Sequence, residues 1–396
     1  MKATIYSFLF FLPILTSGQI QLLNDEFNAD TTLDEWFNIN DTEGWDAEHL
    51  EVFDIDQTTA GHLHMMPWST SWYQDYRGPL LFKLVDQNFI FTTEISATNR
   101  LMNGTPSSSY SLAGVMIRAP RNNITNGLDD WTPGGENYVF LSTGTANPVN
   151  GAPHLEIKTT QNSVSNLQIT PILTSENVRI RIARIDQHVI CMYKSPGANW
   201  VIRNRYNRND LPAELQVGLV TYTDWPKLNS FTETYANSHV INAASANPDS
   251  SSNPGLGYNP DLIGLFDFAR FDSVTVPPPL IGANLSNPGA VSDAELLAFL
   301  GQPSQPLVLN NIQYELDTTG ITIQADPDHE FVNIYGNLSD HTVTVADTSG
   351  NIIDVYENVY QRLTIDTSEL PAGPHQIIIE NELNAVIRVQ RFIKLN

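Results

Sequence analysis

Up to about residue 277 the chain is a succession of short β-branched and aromatic segments separated by Gly, Asn, Pro and Ser clusters, with no amphipathic helical run of any length between them. Phe89–Ile95, Ala113–Arg118, Tyr138–Ser142, His154–Thr159, Val178–Arg184, His188–Tyr193 and Leu215–Tyr222 each have strand composition. Parallel strands need crossover connections, usually helical, so a chain without helices must pair its strands antiparallel and pack sheet on sheet. The pattern therefore predicts an all-β fold, an antiparallel β-sandwich of the jelly-roll kind. Asn229–Pro260 breaks the rhythm, and its Asn, Pro, Ser and Gly content from Ala246 onward reads as an irregular surface excursion. A last strand, Phe266–Val276, closes the first domain.

Charge excludes one class of partner. Twenty Lys and Arg against 44 Asp and Glu give a net charge of −24, which repels nucleic-acid phosphate and anionic lipid. A single cysteine, Cys191, rules out a disulfide framework, and its place in Val189-Ile190-Cys191-Met192 marks it as a small buried hydrophobe. At the start, Lys2, the apolar run Ile5–Ile14 and the small residues Thr16-Ser17-Gly18 read as a signal peptide spanning residues 1–18. That apolar run is too short for the roughly 20 residues of a membrane-spanning helix, so no transmembrane segment is expected. A secreted chain without disulfides draws its stability from core size, with bound calcium as a further expected support.

The first domain is expected over residues 19–277. Pro277-Pro278-Pro279 removes three backbone donors in a row and opens a stiff linker, 278–306. One helix is predicted inside it, capped by Ser292 with Glu295 three residues on and stopped by Gly301. From 307 to 396 alternation returns in about seven short strands, the pattern of a small immunoglobulin-like sandwich.

Two family resemblances can be named on particular residues. Val343-Thr344-Val345-Ala346-Asp347-Thr348-Ser349-Gly350, Leu363-Thr364-Ile365-Asp366, Leu370-Pro371-Ala372-Gly373 and Val389-Gln390-Arg391-Phe392-Ile393-Lys394 resemble the C-terminal sorting domain of type IX secretion cargo. Pro374-His375 departs from that pattern, standing where the family usually has an aromatic strand residue. The resemblance implies an address read by an outer-membrane secretion machine, and a protein released or anchored at the outer cell surface. In the first domain, Asp25-Glu26-Phe27-Asn28 with Leu33-Asp34-Glu35-Trp36 resembles the opening of concanavalin A-like jelly rolls. Arg77-Gly78-Pro79-Leu80-Leu81-Phe82-Lys83, Asp86-Gln87-Asn88-Phe89, Ala113–Pro120 and Leu215–Leu219 resemble the regulation-of-enolase and β-xylosidase accessory types of that sandwich. Lectins, hydrolases, lyases and spacers share this scaffold, so the resemblance implies a fold and a polysaccharide or other glycan partner rather than a reaction.

The Glu-x-Asp-x-x-Glu string of laminarinase-type hydrolases does not occur. Period-two alternation offers other catalytic candidates: Glu94 shares a strand face with Thr92, Arg118 with Met116, and Glu156 with Lys158. If their strands are neighbours these side chains converge on the concave face, as a glycoside hydrolase or polysaccharide lyase would need; otherwise they face water. A guanidinium makes bidentate bonds to sugar hydroxyls or carboxylates, so Arg118 is also a binding candidate. Trp72, Trp131 and Trp225 lie in polar stretches and are carried as carbohydrate-stacking residues, core packing being the alternative for each. Asp25 near the first strand and Asp272 near the last are the candidate calcium ligands. Glycan binding, glycan cleavage and a structural or adhesin role all fit the scaffold. Export should remove residues 1–18, so N-terminal sequencing of the secreted protein is expected to begin at Gln19; a start at Met1 would show that no signal peptide is cleaved.

Overall fold

The computed structural model describes residues 20–245, 257–304 and, toward the C-terminus, 321–325, 331–335, 338, 341–347, 351–357, 362–368, 370–371, 373–381 and 386–394. The expected signal peptide lies outside the described residues. In chain order the first domain holds β1 (Phe37–Asn38), α1 (Ile39–Glu43), β2 (Leu50–Ile55), β3 (Leu63–Pro67), β4 (Leu80–Val85), β5 (Phe89–Thr98), β6 (Ser111–Arg118) and β7 (Tyr138–Thr145). It continues with β8 (His154–Gln161), β9 (Val164–Ile172), β10 (Asn177–Ile185), β11 (His188–Lys194), β12 (Val201–Asn207), β13 (Leu215–Tyr222), α2 (Trp225–Leu228), α3 (Glu233–Ser238), β14 (Ile263–Phe266) and β15 (Arg270–Ser273). All seven strands expected from Phe89 to Tyr222 are present, and the last expected strand is split into β14 and β15.

The expected all-β sandwich is what forms. A front sheet runs β1-β4-β13-β6-β7-β8-β9 and a back sheet β12-β11-β10-β5-β14-β3-β2, with β15 also on β5. Alternation decides which residues meet between them: Val115 and Ile117 of β6, Val139 and Leu141 of β7, and Val217 and Leu219 of β13 face Phe89 and Phe91 of β5 and Ile180 and Ile182 of β10. Cys191 lies in this core, fully buried, as its neighbours in sequence predict.

Both outer faces are covered over much of their area. β6, β7 and β13 are buried at every residue, which is the pattern of a sheet covered on both sides. Over the front sheet lies the strap of residues 68–79 with α2 and α3. The Asn229–Pro260 stretch is thus not wholly irregular, because Leu228, Phe231, Ala236 and Ile241 pack with Tyr76 under the strap's end; residues 246–256 lie outside the described part. Over the back sheet lies the segment expected as linker. Its helix α4 (Asp293–Leu300) has the predicted capping box from Ser292 and Glu295 and ends at Gly301. Leu285, Val291, Leu296 and Leu300 seat on Ile90, Ala183, Ile185, Ile190 and Met192, so the described part of this segment is a packed cover rather than a free spacer. Arg181 fixes it by donating to Leu300 O and, at 2.8 Å, to Gln302 O, while Arg205 donates to Val291 O at 2.6 Å.

The C-terminal region adds β16 (Thr322–Ala325), β17 (Phe331–Tyr335), β18 (His341–Asp347), β19 (Ile352–Tyr356), β20 (Arg362–Asp366), β21 (Gly373–Asn381) and β22 (Val386–Lys394). They form two antiparallel sheets, β16-β17-β20 and β19-β18-β21-β22, around Val332, Ile334, Val343, Val345, Ile365 and Ile377. Among the described residues no helix is long and apolar enough to cross a membrane. Because Leu296 is fully buried against the back sheet, Leu296→Ala is expected to cost about 2–4 kcal/mol, read as a lower urea midpoint for the first domain. An unchanged midpoint would mean that α4 does not contribute to the domain's core.

Candidate functional site

The front sheet's outer face carries an unusual set of side chains. Alternation along β6, β7, β8 and β13 sends Arg118, Tyr138, Phe140, Glu156, Lys158, Gln216 and Tyr222 to this side. Covered by the strap, all of them are buried. The strap is held at both ends: Thr70 bridges Thr223, and Tyr76 donates its hydroxyl to Phe231 O at 2.9 Å. Arg77 is its main fastening. Its backbone N donates to Asn237 Oδ1 at 2.8 Å, and its guanidinium donates to Asn40 Oδ1, Ala47 O and Asn237 O and stands 4.4 Å from the Trp45 ring.

Trp72 divides the face into two ends. The expectation that it stacks on a glycan is corrected here, because Trp72 is fully buried, donates Nε1–H to Pro79 O at 2.9 Å and packs edge-on to Tyr138. On one side of it lies Arg118, with no exposed surface. Its Nε and Nη2 donate to Glu136 at 2.7 and 2.9 Å, and its Nη1 reaches Gln216 Oε1 at 2.7 Å and Glu43 Oε1 at 2.8 Å. Burial disfavours the charged guanidinium, but the Glu136 and Glu43 carboxylates outweigh it and hold its pKa above the ordinary value. With its donors committed in this way Arg118 is an internal tie, and neither its catalytic nor its sugar-binding assignment survives. Beside this cluster a cavity of about 600 Å³ opens, lined by Leu84, Gln216, Glu43, Asp41, Arg121 and Glu214 among others.

On the other side of Trp72 is the candidate site. Glu156 and Lys158 lie two apart on β8 and pair at 3.0 Å, and the Tyr222 hydroxyl donates to Glu156 Oε1 at 2.6 Å. Tyr222 is on β13, so β6 and β7 stand between it and Glu156. The intervening register positions are Leu112 and Gly114 on β6 and Ser142 and Gly144 on β7, and the small residues Gly114, Ser142 and Gly144 leave room for the Tyr222 side chain to reach across. A methyl group on Gly114 would lie 2.4 Å from Leu141 O and 2.6 Å from Ser142 Cβ. Lys158 Nζ also donates to Trp72 O at 2.5 Å and to the Tyr222 hydroxyl at 3.3 Å. It lies 4.9, 5.2 and 5.7 Å from the rings of Tyr222, Phe140 and Tyr73. Burial lowers its pKa, against the pull of Glu156, and raises that of the Tyr222 phenol. Glu156 Oε2 is buried without a hydrogen-bond partner, as is Ser142 Oγ opposite it in the ladder.

Above this base is a cavity of about 160 Å³ lined by Ser71, Tyr73, Tyr110, Lys158, Leu167, Tyr222 and Trp225. Trp225 meets Tyr73 and Tyr76 edge-on at 5.4 and 5.2 Å. Three residues with positive φ sit at these aromatics: Tyr110 itself (54°), Gln74 after Tyr73 (53°) and Asp224 before Trp225 (60°). Left-handed backbone at non-glycine residues is costly, and it concentrates at functional sites. Asp224 is fixed there by Ser69, by Ser108 at 3.3 Å and by Asn259 N at 3.0 Å, and burial raises its pKa.

The other sequence candidates fall elsewhere. Glu94 is on β5 of the back sheet, paired with Arg179 at 2.5 Å and partly exposed, so it cannot act with Glu156. Trp131 is half-buried in the loop after residue 129 and does not line the cavity. Asp25 accepts from Phe27 N at 2.8 Å and Trp36 Nε1 at 2.9 Å, one bond on each oxygen, and serves as a clamp on the first turn. Asp272 stands opposite Ile90 on β15, three residues past the Asp25–Ala269 bridge. Among the described residues no group of three His, Cys, Asp or Glu side chains could hold a metal ion. Of the candidates, Trp225 lines the cavity and Glu156 lies at its base as the partner of Lys158, while Tyr110, Lys158 and Tyr222 were not singled out as site residues.

No family model matches the chain, and no curated protein does. Among solved structures it is similar to Bacteroides ovatus xyloglucan PUL GH43B, at 14% identity and TM-score 0.37, over 64% of this chain but only 39% of that one. It is also similar to a Bacillus licheniformis β-glucanase, at 9% and 0.33 over 63% of this chain and 97% of that one. A third is basic winged bean lectin, at 13% and 0.34 over 60% and 96%.

The Arg118 cluster generates an acid-sensitivity test. Burial opposes ionisation of Glu136, but Arg118 and Arg121 overcome it and hold its pKa below the ordinary value. A depressed carboxyl contributes stability above its unfolded pKa of about 4.3 and loses it as pH falls through the folded value. Glu136→Gln is therefore expected to cost about 3–5 kcal/mol at neutral pH and to flatten the decline in urea midpoint below about pH 4. An unchanged acid limb would show that the carboxylate is not what the cluster depends on.

Proposed function

We propose that the chain is a secreted bacterial cell-surface protein whose first domain binds carbohydrate in the aromatic cavity on the front sheet. The observation that carries the reading is that cavity: Tyr73, Tyr110, Tyr222 and Trp225 surround it, with Ser71 and Lys158 as polar members. Aromatic faces pack against the C–H faces of sugar rings, and a few fixed polar groups orient the hydroxyls. Export runs through residues 307–396 as a type IX sorting domain; support comes from the sequence resemblance and from the seven expected strands, now seen in two sheets.

The test is affinity electrophoresis of the mature protein in gels containing neutral plant and marine polysaccharides. Retardation in at least one gel is expected, with Trp225→Ala and Tyr110→Ala each weakening it about tenfold or more while far-ultraviolet circular dichroism stays unchanged. Retention unaffected by both substitutions would remove the cavity as the site. A second reading, a hydrolase or lyase, is favoured by one observation, the buried and unpartnered Glu156 Oε2. It expects product oligosaccharides that vanish in Glu156→Gln, and their absence across the same polymers counts against it.

A further inference from the structure

The cavity's walls and charges narrow what it can take, and this inference rests on its being a sugar site. We propose that it receives one uncharged ring at the end of a glycan chain, and that it does not bind the interior of a polymer or an acidic sugar.

The end-on geometry follows from the strap. A polysaccharide lying along a sandwich needs a continuous groove across the sheet face. Here the strap crosses that face, with Trp72 inserted among Phe82, Met116, Tyr138 and Phe140 and its ends tied by the Thr70–Thr223 bridge and the Tyr76–Phe231 hydrogen bond. The face is thereby parted into the aromatic cavity on one side and the cavity beside Arg118 on the other. At about 160 Å³, the aromatic cavity is comparable with the roughly 150 Å³ of a cavity that holds one benzene molecule, so it has room for no more than one sugar ring. A chain can enter only by its terminus.

Neutrality follows from Lys158. Its ammonium has three hydrogens, and Trp72 O, the Tyr222 hydroxyl and Glu156 Oε1 take them, leaving none for a uronate or sulfate. The net charge of −24 adds long-range repulsion of polyanions. What remains attractive is apolar ring surface with hydroxyl groups.

Calorimetry on the mature full chain would test this, using neutral oligosaccharides of increasing length from the polymer that retards the protein, together with polyuronate and a sulfated galactan. Expected are one chain bound per protein, affinity constant within about threefold from the disaccharide upward, no binding of the acidic glycans, and loss of binding in Trp225→Ala. Affinity that climbs about tenfold or more with length, or more than one protein per chain, would overturn the end-on geometry. Binding of an acidic glycan would overturn the neutrality. Either result leaves the sugar-site reading standing, whereas binding of no glycan by any method would overturn that reading itself and this inference with it.

Discussion

Three cations are buried between the front sheet and the strap that covers it. Arg77, Arg118 and Lys158 each expose 4% or less of their surface, and a buried charge is tolerated only when paired and hydrogen-bonded. That requirement organises the whole layer. Arg118 recruits Glu136 from the loop before β7 and Glu43 from α1; Arg77 recruits Asn40, Ala47 and Asn237 from three separate segments; Lys158 recruits Glu156, Tyr222 and Trp72. The strap is positioned because these charges leave it few other places to lie.

The same physics separates support from site. Around Arg118 the guanidinium is committed to Glu136, Glu43 and Gln216. Around Lys158 the ammonium is also satisfied, while Glu156 Oε2 is left without a hydrogen-bond partner, and the rings that surround the ammonium project past it and enclose space. A neutral base with aromatic walls results, held by a backbone that adopts left-handed conformations at three of its corners. The back sheet shows the contrasting solution, in which an apolar cover seats on β5, β10 and β11 and Arg181 and Arg205 fasten it.

Legibility in the sequence followed the range of the forces involved. Seven of the nine strands from β5 to β13, the seven strands of the C-terminal region and the capped helix α4 depend on local alternation and on a three-residue cap, so they could be read directly, whereas β9 and β12 were not expected. The placement of Cys191 followed from its apolar neighbours. The strap was not legible, since 68–79 mixes Trp and Tyr with Ser, Pro and Asp and has no period of its own. The Pro-rich segment read as a spacer for the same reason: prolines forbid a strand, but they do not forbid packing.

The amino-acid sequence by itself determined the antiparallel sandwich, the faces on which Arg118, Glu156 and Lys158 fall, and the absence of a disulfide framework, because period-two alternation and residue chemistry act over a few positions. Only the tertiary structure decided that Glu94 belongs to the other sheet, that Arg118 is consumed by carboxylates from α1 and the loop before β7, and that Tyr222 reaches Glu156 across two strands. Strand order sets those meetings. It arises from pairing between segments far apart in the chain, which local alternation does not encode.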